Sequence, residues 1–457
     1  MFRIKYILFL FVSALMFSLL SCSDSDGGGN TDNPVRRTII VYMAADNNLS
    51  QSSTSYACQT DVSEIVEGSK NLSSDCNLVV YVDTYGSKPY IAEVSNGEKT
   101  IIKTYTTETS TASSESMQEV LQYIIDAYPA NSYGIVFWGH GTGSIIVNDT
   151  IPVDNWSNSL NIAYEKEPNS YGADITGGLK WMNVPTLAYT LRQLHDRDGS
   201  KITMDYILFD ACLMQSAEMV YELRNNARYI IGATCETPSF GANYEKLVAT
   251  LGVNVDDIPK RVIDAYIDGT DWSQYQFSGV CLSAVDTRKL EDFLLATRKA
   301  LLTLATGEQV ELSLVPKEST CVPPAVSCIY YFKVNNDLEG HSYGNPIFYD
   351  INDVLKANLT DAAYDDWYEV FDKTVVYARC PEDIRTTGKA DWIGKYYGSP
   401  LTNSNFMSFY LPSTNYKCLS FLIPLSIYAN TYPCVNKTMY DYEWCRKVGW
   451  EILGWTK

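Results

Sequence analysis

Two apolar runs in this chain end on residues whose types can do chemistry together. Tyr133-Gly-Ile-Val-Phe-Trp-Gly-His140-Gly141 stops on an imidazole and a glycine, and Asp205-Tyr-Ile-Leu-Phe-Asp210-Ala-Cys212 stops on a thiol. A cysteine is a strong nucleophile only as its thiolate, and a neighbouring imidazole can take the proton. The pair therefore points to a thiol nucleophile with its base. Gly141 lets backbone approach closely and can present an N–H to an oxyanion. Asp210 lies two residues before Cys212, so the period of a strand puts both on one face. A carboxylate there is poorly suited to stabilising a thiolate and well suited to holding a cationic substrate side chain. A plainer reading exists for each residue alone: a lone histidine caps a sheet edge, and a free cysteine is most often buried packing.

The elements that must position these residues follow from the surrounding pattern. Both runs are rich in β-branched and aromatic residues and read as central strands of a parallel sheet. In open α/β sheets the carboxyl ends of such strands form the ligand crevice. Residues 36–46, 77–83 and 229–234 read as further strands, and 90–105 as a hairpin turning at Asn96-Gly97. Helical spacing marks 60–70 and 116–128, where Met117, Val120, Leu121, Ile124 and Ile125 share a face. Helices are also expected over 184–198, which would carry His195, and from about 214 to 224. A helix starting near Met214 would aim its N-terminus at Cys212 and lower the thiol pKa. The alternation predicts an α/β fold, a mainly parallel sheet flanked by helices, with a mixed α+β C-terminal region. That region holds a strand at 279–286, a helix at 287–305, a strand at 406–411 and a closing helix near 439–453. The polar segment 148–178 interrupts the rhythm. Asp46 and Asp83 end strands on the same edge and read as loop caps. His341 lies in a glycine-rich turn without an identifiable partner.

The first 21 residues stand apart. Arg3 and Lys5 precede an apolar run and Leu19-Leu20-Ser21-Cys22, the anatomy of a secretory signal rather than a spanning helix. Leu-Leu-Ser-Cys resembles a bacterial lipobox, which would make Cys22 the lipidated first residue of the mature protein. The acidic, glycine-rich stretch after it is similar to the export signals of Bacteroidetes surface lipoproteins. The expected division is a signal peptide at 1–21, a lipidated tether at 22–35, a catalytic domain at 36–278 and a C-terminal region at 279–457. The formal charge is −19, and losing Arg3 and Lys5 takes the mature chain to about −21. Such a balance lacks the basic footprint of nucleic-acid binding. Of 12 cysteines and 3 histidines, none forms a CxxC zinc pattern, so metal chemistry on these residues is not expected.

His140-Gly141 followed by Asp210-Ala211-Cys212 resembles the clostripain family of cysteine peptidases, in the caspase-like clan. Val41-Tyr-Met-Ala-Ala-Asp-Asn47, Gly232-Ala-Thr-Cys-Glu236 with Gly241 and Tyr244, and Met407-Ser-Phe-Tyr-Leu-Pro412 support the resemblance, which spans most of the chain. It implies a caspase-like sheet and cleavage of protein or peptide substrates after Arg or Lys. It implies Cys212 as nucleophile, His140 as base and acid, Asp210 in the specificity pocket, and the N–H groups of Gly141 and Cys212 as the oxyanion hole. Glu236 is the nearest carboxylate for a second pocket acid. Calcium dependence occurs in the family, but no EF-hand-like loop is present. Self-cleavage after a basic residue, common in the family, has only Lys166 as a weak candidate between His140 and Lys180. A monomer held at the membrane by Cys22 is expected. The alternative is a non-catalytic surface lipoprotein that uses its 34 tyrosines and 9 tryptophans to bind peptide or glycan on the same scaffold.

Overall fold

The computed structural model describes residues 35–51, 56–107, 110–145, 171–176, 178–235, 237–271, 280–305, 312, 330–335, 343–379, 417–423 and 441–450. In chain order the strands are β1 (Arg37–Ala45), β2 (Cys76–Thr84), β3 (Tyr90–Ser95), β4 (Glu98–Thr104), β5 (Ser132–Gly139), β6 (Tyr171–Asp174), β7 (Lys180–Met182), β8 (Met204–Asp210), β9 (Ala227–Ala233), β10 (Leu282–Asp286), β11 (Tyr330–Asn335), β12 (Tyr343–Asp350), β13 (Val375–Arg379) and β14 (Ser420–Leu422). The helices are α1 (Ala57–Gly68), α2 (Ser114–Ala127), α3 (Val184–Arg192), α4 (Ala217–Glu222), α5 (Tyr244–Leu251), α6 (Ile258–Gly269), α7 (Leu290–Leu304), α8 (Ile351–Asn358), α9 (Asp361–Thr374) and a closing helix Glu443–Val448.

Among the described residues, nine strands form one sheet in the order β13-β10-β9-β8-β5-β1-β2-β3-β4. Its centre, β2-β1-β5-β8-β9, is parallel throughout. The edges β3, β4, β10 and β13 run antiparallel to their neighbours. All nine residues of β1 are buried, as a strand covered by helices on both faces requires. On one side α1, α5 and α6 pack in a row; α2, α3, α4, the closing helix, α7 and α9 make a second continuous set.

Register sorts the two faces. Tyr81, Tyr42, Phe137 and Phe209 are aligned across β2, β1, β5 and β8, and their rings meet at centroid distances of 4.7, 6.0 and 5.5 Å. One residue further along, Val82, Met43, Trp138 and Asp210 are aligned and so face the opposite side. That side lies against α1, α5 and α6, as the bonds of Trp138 and Asp210 show.

Two helices differ from the expectation. The helix expected over 184–198 stops at Arg192. Asp196 Oδ1 accepts the amides of Asp198 and Ser200 at 2.9 and 2.8 Å, a local turn that competes with helix. His195 consequently sits in a bridge with Lys201, not on a helix. The helix expected from 214 begins at Ala217, capped by the Ser216 hydroxyl. The intervening chain is used elsewhere: the carbonyl of Gln215 accepts from Ser420 N, and its side-chain amide donates to Ser283 O. The helix therefore starts five residues past Cys212 rather than two. The expected strand at 406–411, His341, Lys166, and the signal and tether with Cys22 lie outside the described residues.

Candidate active site

β5 ends at Gly139, whose φ of +144° turns the chain upward at a point where a Cβ would lie 2.8 Å from Ala44 O. Only glycine fits that bend, and it delivers His140 to the carboxyl edge of the sheet. The His140 carbonyl accepts from Gly172 N at 3.0 Å, which ties the turn to β6. Its ring is half-buried, lies 6.2 Å from the Trp181 ring, and bonds through Nε2 to Asn48 Oδ1 at 2.7 Å. Loss of water around the ring pushes its pKa down to about 4. The resting imidazole is therefore neutral at ordinary pH, as a general base must be.

On β8, Asp210 pairs in register with Trp138. The two strands end at Gly139 and Asp210, so His140 and Cys212 follow one and two residues beyond neighbouring strand ends. The two loops also meet directly: a Cβ on Gly141 would lie 2.5 Å from the Cys212 carbonyl oxygen and 3.1 Å from the Ala211 Cβ. Next to the cysteine, Leu213 adopts a left-handed φ of +62°, and its amide donates to Cys235 O at 3.0 Å. Cys212 itself is half-buried. Thr237 N–H donates to Cys212 Sγ at 3.3 Å, and the Thr237 carbonyl and hydroxyl lie 3.6 Å from the sulfur. A backbone amide donor favours thiolate and a carbonyl acceptor favours thiol, and Thr237 presents both to the sulfur.

Asp210 is almost fully buried. Tyr266 Oη donates to Oδ1 at 2.6 Å, Tyr244 Oη to Oδ2 at 2.9 Å, and Ala242 N to Oδ2 at 3.4 Å. Burial raises its pKa, and the two phenols and the amide oppose that rise. Beside it, Asp61 of α1 accepts from Trp138 Nε1 at 2.6 Å. Burial, then the charge of Asp210, pushes the Asp61 carboxyl well above its ordinary range. Glu64, one turn on, takes Tyr244 N at 2.8 Å and is raised by the same two causes among others. The described partners of Asp61 and Asp210 are phenols, an indole and an amide, with no cation among them.

Other expected residues are placed as follows. Asp46 Oδ2 accepts Thr176 N at 2.8 Å, so it holds a loop. Asp174, not singled out from the sequence, holds Thr111 N at 2.7 Å and is raised to about 6, first by burial. His195 is remote, bonded through its backbone to the Gln122 side chain. Glu236 lies outside the described residues. A groove of about 460 Å³ lined by Gln59, Thr60, Ser63, Glu64, Glu67 and Glu245 contains neither His140 nor Cys212. Among the described residues no group of three or more His, Cys, Asp or Glu side chains is disposed to hold a metal ion. No described helix is long and apolar enough to cross a membrane.

Asn48, Asp61, Thr237 and Tyr266 are site residues that the sequence reading did not single out. Asp61 carried a usable signal: it shares the buried face of α1 with Cys58, Val62 and Ile65, where an acid needs a reason. Thr237 and Tyr266 carried none, because their contacts are set by tertiary structure.

A family model described as the clostripain family matches residues 41–450. Among solved structures, the chain is similar to a secreted C11 cysteine protease from Bacteroides thetaiotaomicron in complex with an irreversible peptide inhibitor. The identity is 24%, over 91% of this chain and 99% of that one, with a TM-score of 0.63. It is also similar to an inactive zymogen C11 protease from Parabacteroides distasonis, at 24% identity with the same coverage and a TM-score of 0.62. A search of curated proteins gives no match.

Proposed function

Since the chain belongs to the clostripain family of cysteine peptidases, we propose that it is an endopeptidase cleaving after arginine or lysine, with Cys212 as nucleophile and His140 as base and acid. The observation that carries this reading is the Trp138–Asp210 register together with the backbone contact between Gly141 and Cys212. Neutral His140 takes the Sγ proton, and the thiolate attacks the scissile carbonyl carbon. The amides of Gly141 and Cys212 hold the resulting oxyanion. As the intermediate collapses, the C–N bond breaks and the imidazolium returns its proton to the leaving amine. Water then enters, with His140 again as base, and hydrolyses the thioester.

Asp210 receives the basic side chain. Its support is burial and charge: Asp210 is almost fully buried beside Asp61 with no cation among its described partners, and a buried carboxylate either takes up a proton or pairs with a positive charge. A guanidinium or ammonium replacing one phenol exchanges a neutral donor for a charged one, roughly doubling that bond's strength. Glu236 is the proposed second pocket acid, and Cys22 the proposed lipid anchor of an exported monomer.

The test is hydrolysis of fluorogenic peptides carrying Arg, Lys, Asp or Leu before the scissile bond, by wild type beside Cys212→Ala and His140→Ala. Cleavage after Arg or Lys that both variants abolish is the expected result. Cleavage confined to Asp or Leu peptides would overturn the role of Asp210, and undiminished cleavage by Cys212→Ala would overturn the nucleophile.

A further inference from the structure

We propose that Asn48 is the positioning residue of His140, a third member of the site that fixes which ring nitrogen faces the thiol. The inference rests on the peptidase reading above. Asn48 Oδ1 lies 2.7 Å from His140 Nε2. A carbonyl oxygen only accepts, so Nε2 must carry the hydrogen. In a neutral imidazole the other nitrogen, Nδ1, then holds the lone pair. Nδ1 is thus the atom that takes the Cys212 proton and later gives it to the leaving amine. While the ring is charged, Nε2–H still donates to the amide oxygen, a stronger bond to a charged donor than to a neutral one.

Asn48 is exposed, so its hold on the ring depends on how its loop is fixed, and that loop is anchored on every side. The Asn47 side chain donates to Ala44 O at 3.0 Å and to Ala173 O at 2.8 Å, and accepts from Leu49 N at 2.9 Å. Ser50 Oγ donates to Ala45 O at 2.6 Å and accepts from Tyr85 N at 3.0 Å. Asp46 holds Thr176 N through its side chain and Ile175 N through its carbonyl. The loop after β1 is therefore tied to β2 and to the end of β6, and β6 also holds the His140 carbonyl through Gly172. Across the ring, Trp181 limits its rotation at 6.2 Å.

The experiment compares wild type, Asn48→Leu, Asn48→Asp and Cys212→Ala on the best cleaved peptide, with melting temperatures measured alongside. Asn48→Leu keeps the approximate shape and removes the acceptor; Asn48→Asp keeps an acceptor oxygen at the same reach. The expected result is an Asn48→Leu kcat about 10- to 100-fold lower with KM and melting temperature unchanged, the range given by losing a hydrogen bond to a charged group. Asn48→Asp should recover most of that loss. The proposal is overturned if folded Asn48→Leu keeps kcat within about twofold, if the loss falls on KM, or if Asn48→Asp is equally impaired. A wild type no more active than Cys212→Ala would instead overturn the peptidase reading on which this one rests.

Discussion

At the scale of single residues, the proposed base and the proposed pocket acid shift in opposite directions: desolvation lowers His140 to about 4, while burial raises Asp210. A protonated Asp210 is unable to pair with a substrate cation. The acid limb of kcat/KM for a basic peptide should belong to Asp210, with activity rising as that carboxyl ionises. Asp210→Asn is expected to lower kcat/KM for Arg and Lys peptides about 10- to 100-fold and to remove that limb. Tyr266→Phe deletes a hydrogen bond that favours the ionised form, so the limb should move to higher pH. A limb unchanged in both variants, measured as kcat/KM from pH 4 to 9 in roughly half-unit steps, would assign it elsewhere.

At the scale of elements, the site is where two strand ends are pressed together, and two substitutions probe that contact. Gly141→Ala drives a Cβ to 2.5 Å from the Cys212 carbonyl oxygen, a backbone atom that cannot swing away. A loss of about 1–3 kcal/mol in stability is expected, with an activity loss from the displaced nucleophile, both read by denaturant unfolding and a peptide assay. Leu213→Gly tests why a leucine tolerates φ +62°. Relief of the left-handed backbone would gain about 1–2 kcal/mol, whereas removing a buried leucine loses about 2–5 kcal/mol. The variant should therefore be less stable, by up to about 4 kcal/mol; a gain in stability would show that backbone strain outweighs packing. The same elements show what was legible beforehand. His140, Cys212 and Asp210 could be read because each ends an apolar run of strand length, and strand ends are where parallel sheets put chemistry. The hairpin at Asn96-Gly97 was equally plain. The helix after Cys212 was legible but its late start was not, because bonds from Gln215 to Ser283 and Ser420 delay it, and partners 68 and 205 residues away leave no local pattern. Thr237 at the sulfur and the phenols on Asp210 were hidden for the same reason.

At the scale of the whole molecule, the chain has a net charge of −19, and several acids are buried with no cation among their described hydrogen-bond partners. Glu218 is fully buried, accepts Leu422 N at 2.8 Å, and is raised to about 7; Asp174 is raised to about 6. A carboxyl whose folded pKa lies above its unfolded value near 4 favours the fold while protonated. That contribution is full below the unfolded pKa and is lost as pH rises through the folded one. His140 acts in the opposite sense: its contribution is present above its unfolded pKa near 6.5 and is lost as pH falls towards about 4. Between about pH 4 and 6 the two carboxyls outweigh the histidine, so the stability these groups confer falls as pH rises, and Glu218 extends that fall, so the melting temperature should drop from pH 6 to pH 8. Glu218→Gln should flatten that alkaline fall, and a variant that melts with the same pH slope as wild type would remove Glu218 from the account.

The most direct test is to locate a covalent adduct. The protein would be treated with an irreversible thiol-directed peptide ketone ending in lysine, digested, and mapped by mass spectrometry, beside Asp210→Asn and beside the same ketone ending in leucine. The account predicts one adduct, on Cys212, formed faster by the lysine reagent than by the leucine reagent, with that preference lost in Asp210→Asn. An adduct on another of the cysteines, or equal labelling by both reagents in wild type, would contradict it.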